Sequence, residues 1–115
     1  MQDPIAEALR RGDLGQAAAL LRGAGQLERA QALYERLWDF RSAAEVAHER
    51  GDLPAALRLL LDARDPAGAA AVLARILQTG DRAALAQAAA LCAERRQPLQ
   101  AAWAYEALGD SEKAL

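Results

Sequence analysis

Isoleucine, valine and threonine together fill only five of the 115 positions, and phenylalanine, tyrosine and tryptophan fill another five. β-Sheets are built largely from β-branched and aromatic residues, so this scarcity excludes a sheet-based fold. The single cysteine, Cys92, excludes an internal disulfide; with the single histidine, His48, it falls short of the ligand set of a zinc site. No GKS or GKT follows the glycines at 12 and 15, so a phosphate-binding loop is missing as well. Fourteen basic side chains against sixteen acidic ones give a net charge of -2. A nucleic-acid partner calls for a basic surface that releases counterions from phosphate, and none is expected here. Apolar runs such as Ala67 to Ala74 stop far short of the ~20 residues that cross a bilayer, and no charged-then-apolar leader opens the chain. The expected location is cytoplasmic, with no membrane span.

What is abundant is helix-forming. Alanine supplies 31 positions and leucine 19. With 53% apolar and 26% charged residues of mixed sign, the composition describes a folded all-α chain. Thirteen arginines against one lysine would suit recognition of carboxylates or phosphates, but beside so much alanine the bias of a GC-rich, bacterial-like genome is the expected cause, and Arg95–Arg96 is too short for a basic patch.

The alanines and leucines repeat. Blocks begin at Asp13, Gln26, Asp39, Asp52 and Asp65, each thirteen residues after the last, and further blocks begin at Asp81, Gln97 and Asp110 after steps of sixteen, sixteen and thirteen. Four places into the blocks stand Ala17, Ala30, Ala43, Ala56, Ala69, Leu85, Ala101 and Ala114. A column of small residues suits a close approach of helices. Eight places in come Leu21, Tyr34, Ala47, Leu60, Leu73, Ala89 and Tyr105, all able to face a core. Apolar offsets one, four, eight and eleven trace one helical face, with charge collected at two, three, nine and ten. Leucine at Ala43 or Ala56 is therefore expected to harm stability far more than leucine at Arg58, read as exposed.

Glycine followed by aspartate at 12–13, 51–52, 80–81 and 109–110 pairs a helix stop with the N-cap of the next helix. Pro4, Pro54, Pro66 and Pro98 all fit a first turn, and Gln16 stands where it would complete a capping box with Asp13. The pattern predicts helices near 4–11, 14–23, 26–37, 40–50, 53–63, 66–79, 82–95 and 98–108, with a ninth beginning at 111. Such short helices depend on neighbours for stability. The expected architecture is an α-solenoid of about nine short antiparallel helices, a single helical-repeat domain over 1–115 and a segment of a longer array; a compact bundle is the structural alternative.

YEALGDSEKAL, from Tyr105 to Leu115, resembles the junction between the two helices of a tetratricopeptide repeat, and AHERGDLPAAL, from Ala47 to Leu57, is similar. The period departs from that family: two blocks span 26 to 32 residues, against about 34 in a tetratricopeptide repeat. Shorter hairpins of this kind are similar to the α-solenoids of vesicle-coat and intraflagellar-transport subunits and to irregular bacterial tetratricopeptide-like arrays. The resemblance implies a scaffold that binds other proteins.

No catalytic, cofactor or metal site is expected. His48 lies in a polar column and reads as a solvated side chain; Cys92 sits among apolar neighbours and reads as a small buried hydrophobe. Tyr34 and Tyr105 fall in the core column. Trp38 stands where other blocks carry glycine, and is expected to cover a hairpin end. Trp103 stands where other blocks carry alanine, glutamate or arginine, and is the first candidate for a protein-interface anchor, with Leu99 and Leu61 beside it. Two functions follow: a non-catalytic interaction scaffold holding a protein or peptide partner, or a structural module joining copies or neighbouring domains, with self-association through the C-terminal end.

Overall fold

The computed structural model describes residues 3–96, 103, 104 and 106–109. Seven helices have defined bounds: α1 (Pro4–Arg10), α2 (Leu14–Gly23), α3 (Leu27–Arg36), α4 (Phe40–Glu49), α5 (Leu53–Asp62), α6 (Pro66–Thr79) and α7 (Arg82–Glu94). Residues 103, 104 and 106–109 are also helical, and no strand occurs among the described residues. Leu99, Ala101, Tyr105, Asp110 and the expected helix from 111 lie outside the described residues.

The thirteen-residue step has a local cause. Helices α2 to α5 each run ten residues, followed by a C-cap residue, a left-handed residue and the N-cap of the next helix. At the first turn Gly12, at φ +74°, donates its N–H to the Leu9 carbonyl (3.1 Å), and Asp13 donates to Ala8 (2.9 Å). These are the two bonds of a Schellman motif. The pair recurs at Gly25–Gln26, Trp38–Asp39, Gly51–Asp52 and Arg64–Asp65. One residue thus closes a helix through its N–H while its side chain opens the next. The Oδ1 atoms of Asp13, Asp39, Asp52 and Asp65 accept the N–H groups of Gln16, Ser42, Ala55 and Gly68 at 2.9 to 3.2 Å. Longer helices give the sixteen-residue steps: α6 has fourteen residues and α7 thirteen.

The capping box expected at Gln16 does not close. The Asp13 N–H is already committed to Ala8, and Gln16 Oε1 instead accepts from the Arg11 guanidinium at 2.7 Å.

Each helix packs on its predecessor and successor, and α7 also touches α5. Ion pairs link alternate helices: Arg22 of α2 with Glu45 and Glu49 of α4, Glu35 of α3 with Arg58 of α5, Arg41 of α4 with the α6 cap Asp65, and Asp62 of α5 with Arg95 after α7. That pattern lays α2, α4 and α6 side by side in one layer and α3, α5 and α7 in the other. Between the layers, Ala17, Ala30, Ala43 and Ala56 have no exposed surface, and Leu21, Val46, Leu57, Leu59, Leu73, Ile76, Leu85 and Cys92 are fully buried. Arg58 is half-buried and bonded to Glu35 and Asp62, so it is no inert reference for substitutions.

The molecule measures 59 × 27 × 18 Å, with a radius of gyration of 16.6 Å against about 13 Å expected for a compact domain of this length.

Candidate interaction surface

Successive helices reverse direction, so the turns fall on two opposite edges. The α2–α3, α4–α5 and α6–α7 turns share one edge, and their left-handed residues are Gly25, Gly51 and Gly80. The α1–α2, α3–α4 and α5–α6 turns share the other with the end of α7. Its left-handed residues are Gly12, Trp38 (φ 60°), Arg64 (φ 56°) and Arg96 (φ 59°). Trp38 is 76% exposed and its ring lies 5.7 Å from that of Phe40 at an angle of 55°. It does not cover a hairpin end: the left-handed backbone leaves its side chain on the rim.

Two concavities stand out on the surface. A groove of about 460 Å³ is floored by Ala44, Ala56, Leu60 and Val72, with Arg22, Glu45, Glu49, His48 and the Arg41–Asp65 pair around it. The Arg22 guanidinium donates from Nε to Glu49 (2.9 Å) and from Nη1 to Glu45 (3.3 Å). Those bonds raise the Arg22 pKa, and the Arg22 bond holds the Glu49 carboxyl below its usual value. Leu60, from the column expected to face the core, does pack against the core but is only half-buried, because it also floors this groove. A smaller recess of about 230 Å³ is lined by Leu57, Leu61, Pro66, Ala69, Ala70 and Leu73, with Arg64 and Asp65 among its lining residues.

Of the three anchors expected from sequence, Trp103 is 46% exposed, Leu61 is half-buried in the small recess, and Leu99 lies outside the described residues. His48 is exposed. Cys92 is buried, and burial pushes its thiol pKa up, which disfavours the nucleophilic thiolate. No group of three or more His, Cys, Asp or Glu able to hold a metal occurs among the described residues. No helix among them is long and apolar enough to cross a membrane.

Arg64 is not singled out by the sequence reading, and Arg96 enters it only within a pair too short for a basic patch. Their signal is the last position of each block, where Gly25, Trp38, Gly51 and Arg64 alternate between glycine and a large side chain. Comparison of the chain with protein-family models, curated proteins and solved structures returns no match.

Proposed function

We propose that this chain is a non-catalytic protein–protein interaction scaffold, an α-solenoid of the tetratricopeptide-like kind that holds a peptide or domain of another protein. The observation that carries this reading is the recurrent unit of ten-residue helix, left-handed residue and N-cap, laid out in two layers. A body built that way has each helix leaning on those one or two places away in the chain, and offers an extended surface rather than an enclosed reaction chamber. The exposed single histidine and the buried single thiol are poorly placed for catalysis.

Panning a random-peptide display library against the immobilised protein tests the reading. Enrichment of related sequences that bind in solution at micromolar strength supports it; failure to enrich any sequence overturns it. The second reading, a module that joins copies of itself, draws on the exposed Trp103 and on Leu9, another large apolar side chain left accessible. Sedimentation over a range of concentrations, repeated with Trp103→Glu, separates the two. Self-association abolished by the substitution favours the joining module, whereas a concentration-independent monomer removes it.

A further inference from the structure

Resting on the scaffold reading, we infer that the turn edge carrying Trp38, Arg64 and Arg96 is the docking surface, and that its partner is an acidic peptide segment with an apolar anchor residue. The first observation is the asymmetry of the two edges. The seven left-handed turn residues among the described ones adopt nearly the same backbone, with φ between 56° and 80°, so the fold asks the same of each. Glycine meets that demand without steric cost, and every turn on the opposite edge uses it. A residue with a Cβ is disfavoured there, yet three of the four turns on this edge place tryptophan or arginine. Internal packing does not account for them. Trp38 is mostly exposed, and Arg64 and Arg96 are exposed, with no side-chain ion pair or hydrogen bond among the described residues.

The second observation is charge. Arg36, two residues before Trp38, is likewise exposed and makes no ion pair among the described residues. Of the carboxylates on the same edge, Asp62 pairs with Arg58 and Arg95, Glu35 with Arg58 and Asp65 with Arg41, while Asp13 and Asp39 are held by backbone N–H groups as the caps of α2 and α4. Glu94 is exposed beside them and makes no ion pair among the described residues. A chain of net charge -2 therefore presents unpaired guanidinium groups along one edge. The Arg41–Asp65 and Arg95–Asp62 bridges tie the three turns side by side, so the groups form a row.

The row carries apolar anchorage too. The Trp38–Phe40 pair stands at one turn, and the recess lined by Leu61, Pro66 and Ala69 lies at the next, with Arg64 in its wall. At about 230 Å³ the recess is smaller than the ~300–1,000 Å³ typical of small-molecule sites, and suits a single inserted side chain. Tryptophan and arginine are the residues that most often dominate protein interfaces. Separate guanidiniums with apolar surface between them match spaced carboxylates flanking an apolar residue better than the unbroken charge of a nucleic-acid backbone.

The test uses fluorescence anisotropy with a labelled twelve-residue peptide of alternating glutamate and leucine pairs, a lysine and leucine peptide of the same spacing, and a twelve-nucleotide oligothymidylate. The full chain is compared with the combined variant Trp38→Gly, Arg64→Gly, Arg96→Gly. Because glycine suits these backbones, the variant is expected to melt at an equal or higher temperature while its affinity for the glutamate and leucine peptide falls about tenfold or more. Unchanged affinity in the folded variant, equal binding of the lysine peptide, or stronger binding of the oligothymidylate overturns the inference. If library-selected peptides bind the variant as well as the native chain, the scaffold stands and the edge does not. If neither selected nor designed peptides bind, both fall.

Discussion

At the scale of the single residue, backbone conformation explains positions that composition alone would rank the other way. Gly51 and Gly23 are both flanked by open space, but Gly51 sits at φ +78° whereas Gly23 is in the last turn of α2. Alanine at 51 puts a Cβ into the left-handed region and is expected to cost about 1–2 kcal/mol. Alanine at 23 gains helix propensity and is expected to stabilise by about 0.5–1 kcal/mol. Urea denaturation of the two variants checks both signs. Gly68 differs again: an added Cβ would stand 2.7 Å from Asp65 Oδ2 and 3.2 Å from Leu60 Cδ2, so the side chain that caps α6 must first move.

At the scale of the helix, the caps form a natural series with one defect. Among the six block starts at the heads of α2 to α7, Gln26 alone makes no side-chain cap bond, and its amide oxygen accepts from Arg29 instead. Gln26→Asp is expected to raise stability by about 0.5–1 kcal/mol, and Asp39→Ala to lower it by about 1 kcal/mol; thermal melts measure each. Pairing between α2 and α4 adds a pH dependence. The bond from Arg22 lowers the folded-state pKa of Glu49 below its unfolded value. Its contribution is therefore present above the unfolded pKa and is lost as pH falls through the folded one. Between about pH 5 and pH 3 the native chain is expected to lose more melting temperature than Glu49→Gln. Equal losses would show that the bridge carries no stability.

At the scale of the whole molecule, the small-residue column and the chain-order packing control behaviour together. Ala43→Leu and Ala56→Leu place three extra carbons where no surface is exposed, at an expected cost of ~1–3 kcal/mol. Arg75, exposed and without an ion pair among the described residues, is the proper reference, and Arg75→Leu is expected to stay within about 0.5 kcal/mol. Equal urea midpoints for the two classes would overturn the register. Helix α1 packs mainly on α2, whereas α4 packs on α3 and α5 and is bridged to α2 and α6. Amide hydrogen exchange is therefore expected to be fastest in α1 and slowest in α4 and α5.

The sequence by itself determined the all-helical class, the turn positions and most of the inner face. Each rests on short-range chemistry: alanine and leucine propensity, aspartate caps, and a glycine or its substitute at the helix stop. It also placed Ala17, Ala30, Ala43 and Ala56 in one buried column, because their spacing keeps them on one side of successive helices. Only the tertiary structure decided what depends on alternate helices lying side by side. The Asp13 N–H was claimed by Ala8, so Gln16 turned to Arg11; Arg58 was drawn into a bridge with Glu35 from two helices earlier; Leu60, packed at the edge of the core, became groove floor as well. The candidate surface was legible only in part. Leu61 and Trp103 could be singled out from their columns, but the row formed by Trp38, Arg64 and Arg96 exists because every second turn returns to the same edge. That return is a property of the folded array, and nothing local at residues 38, 64 or 96 encodes it.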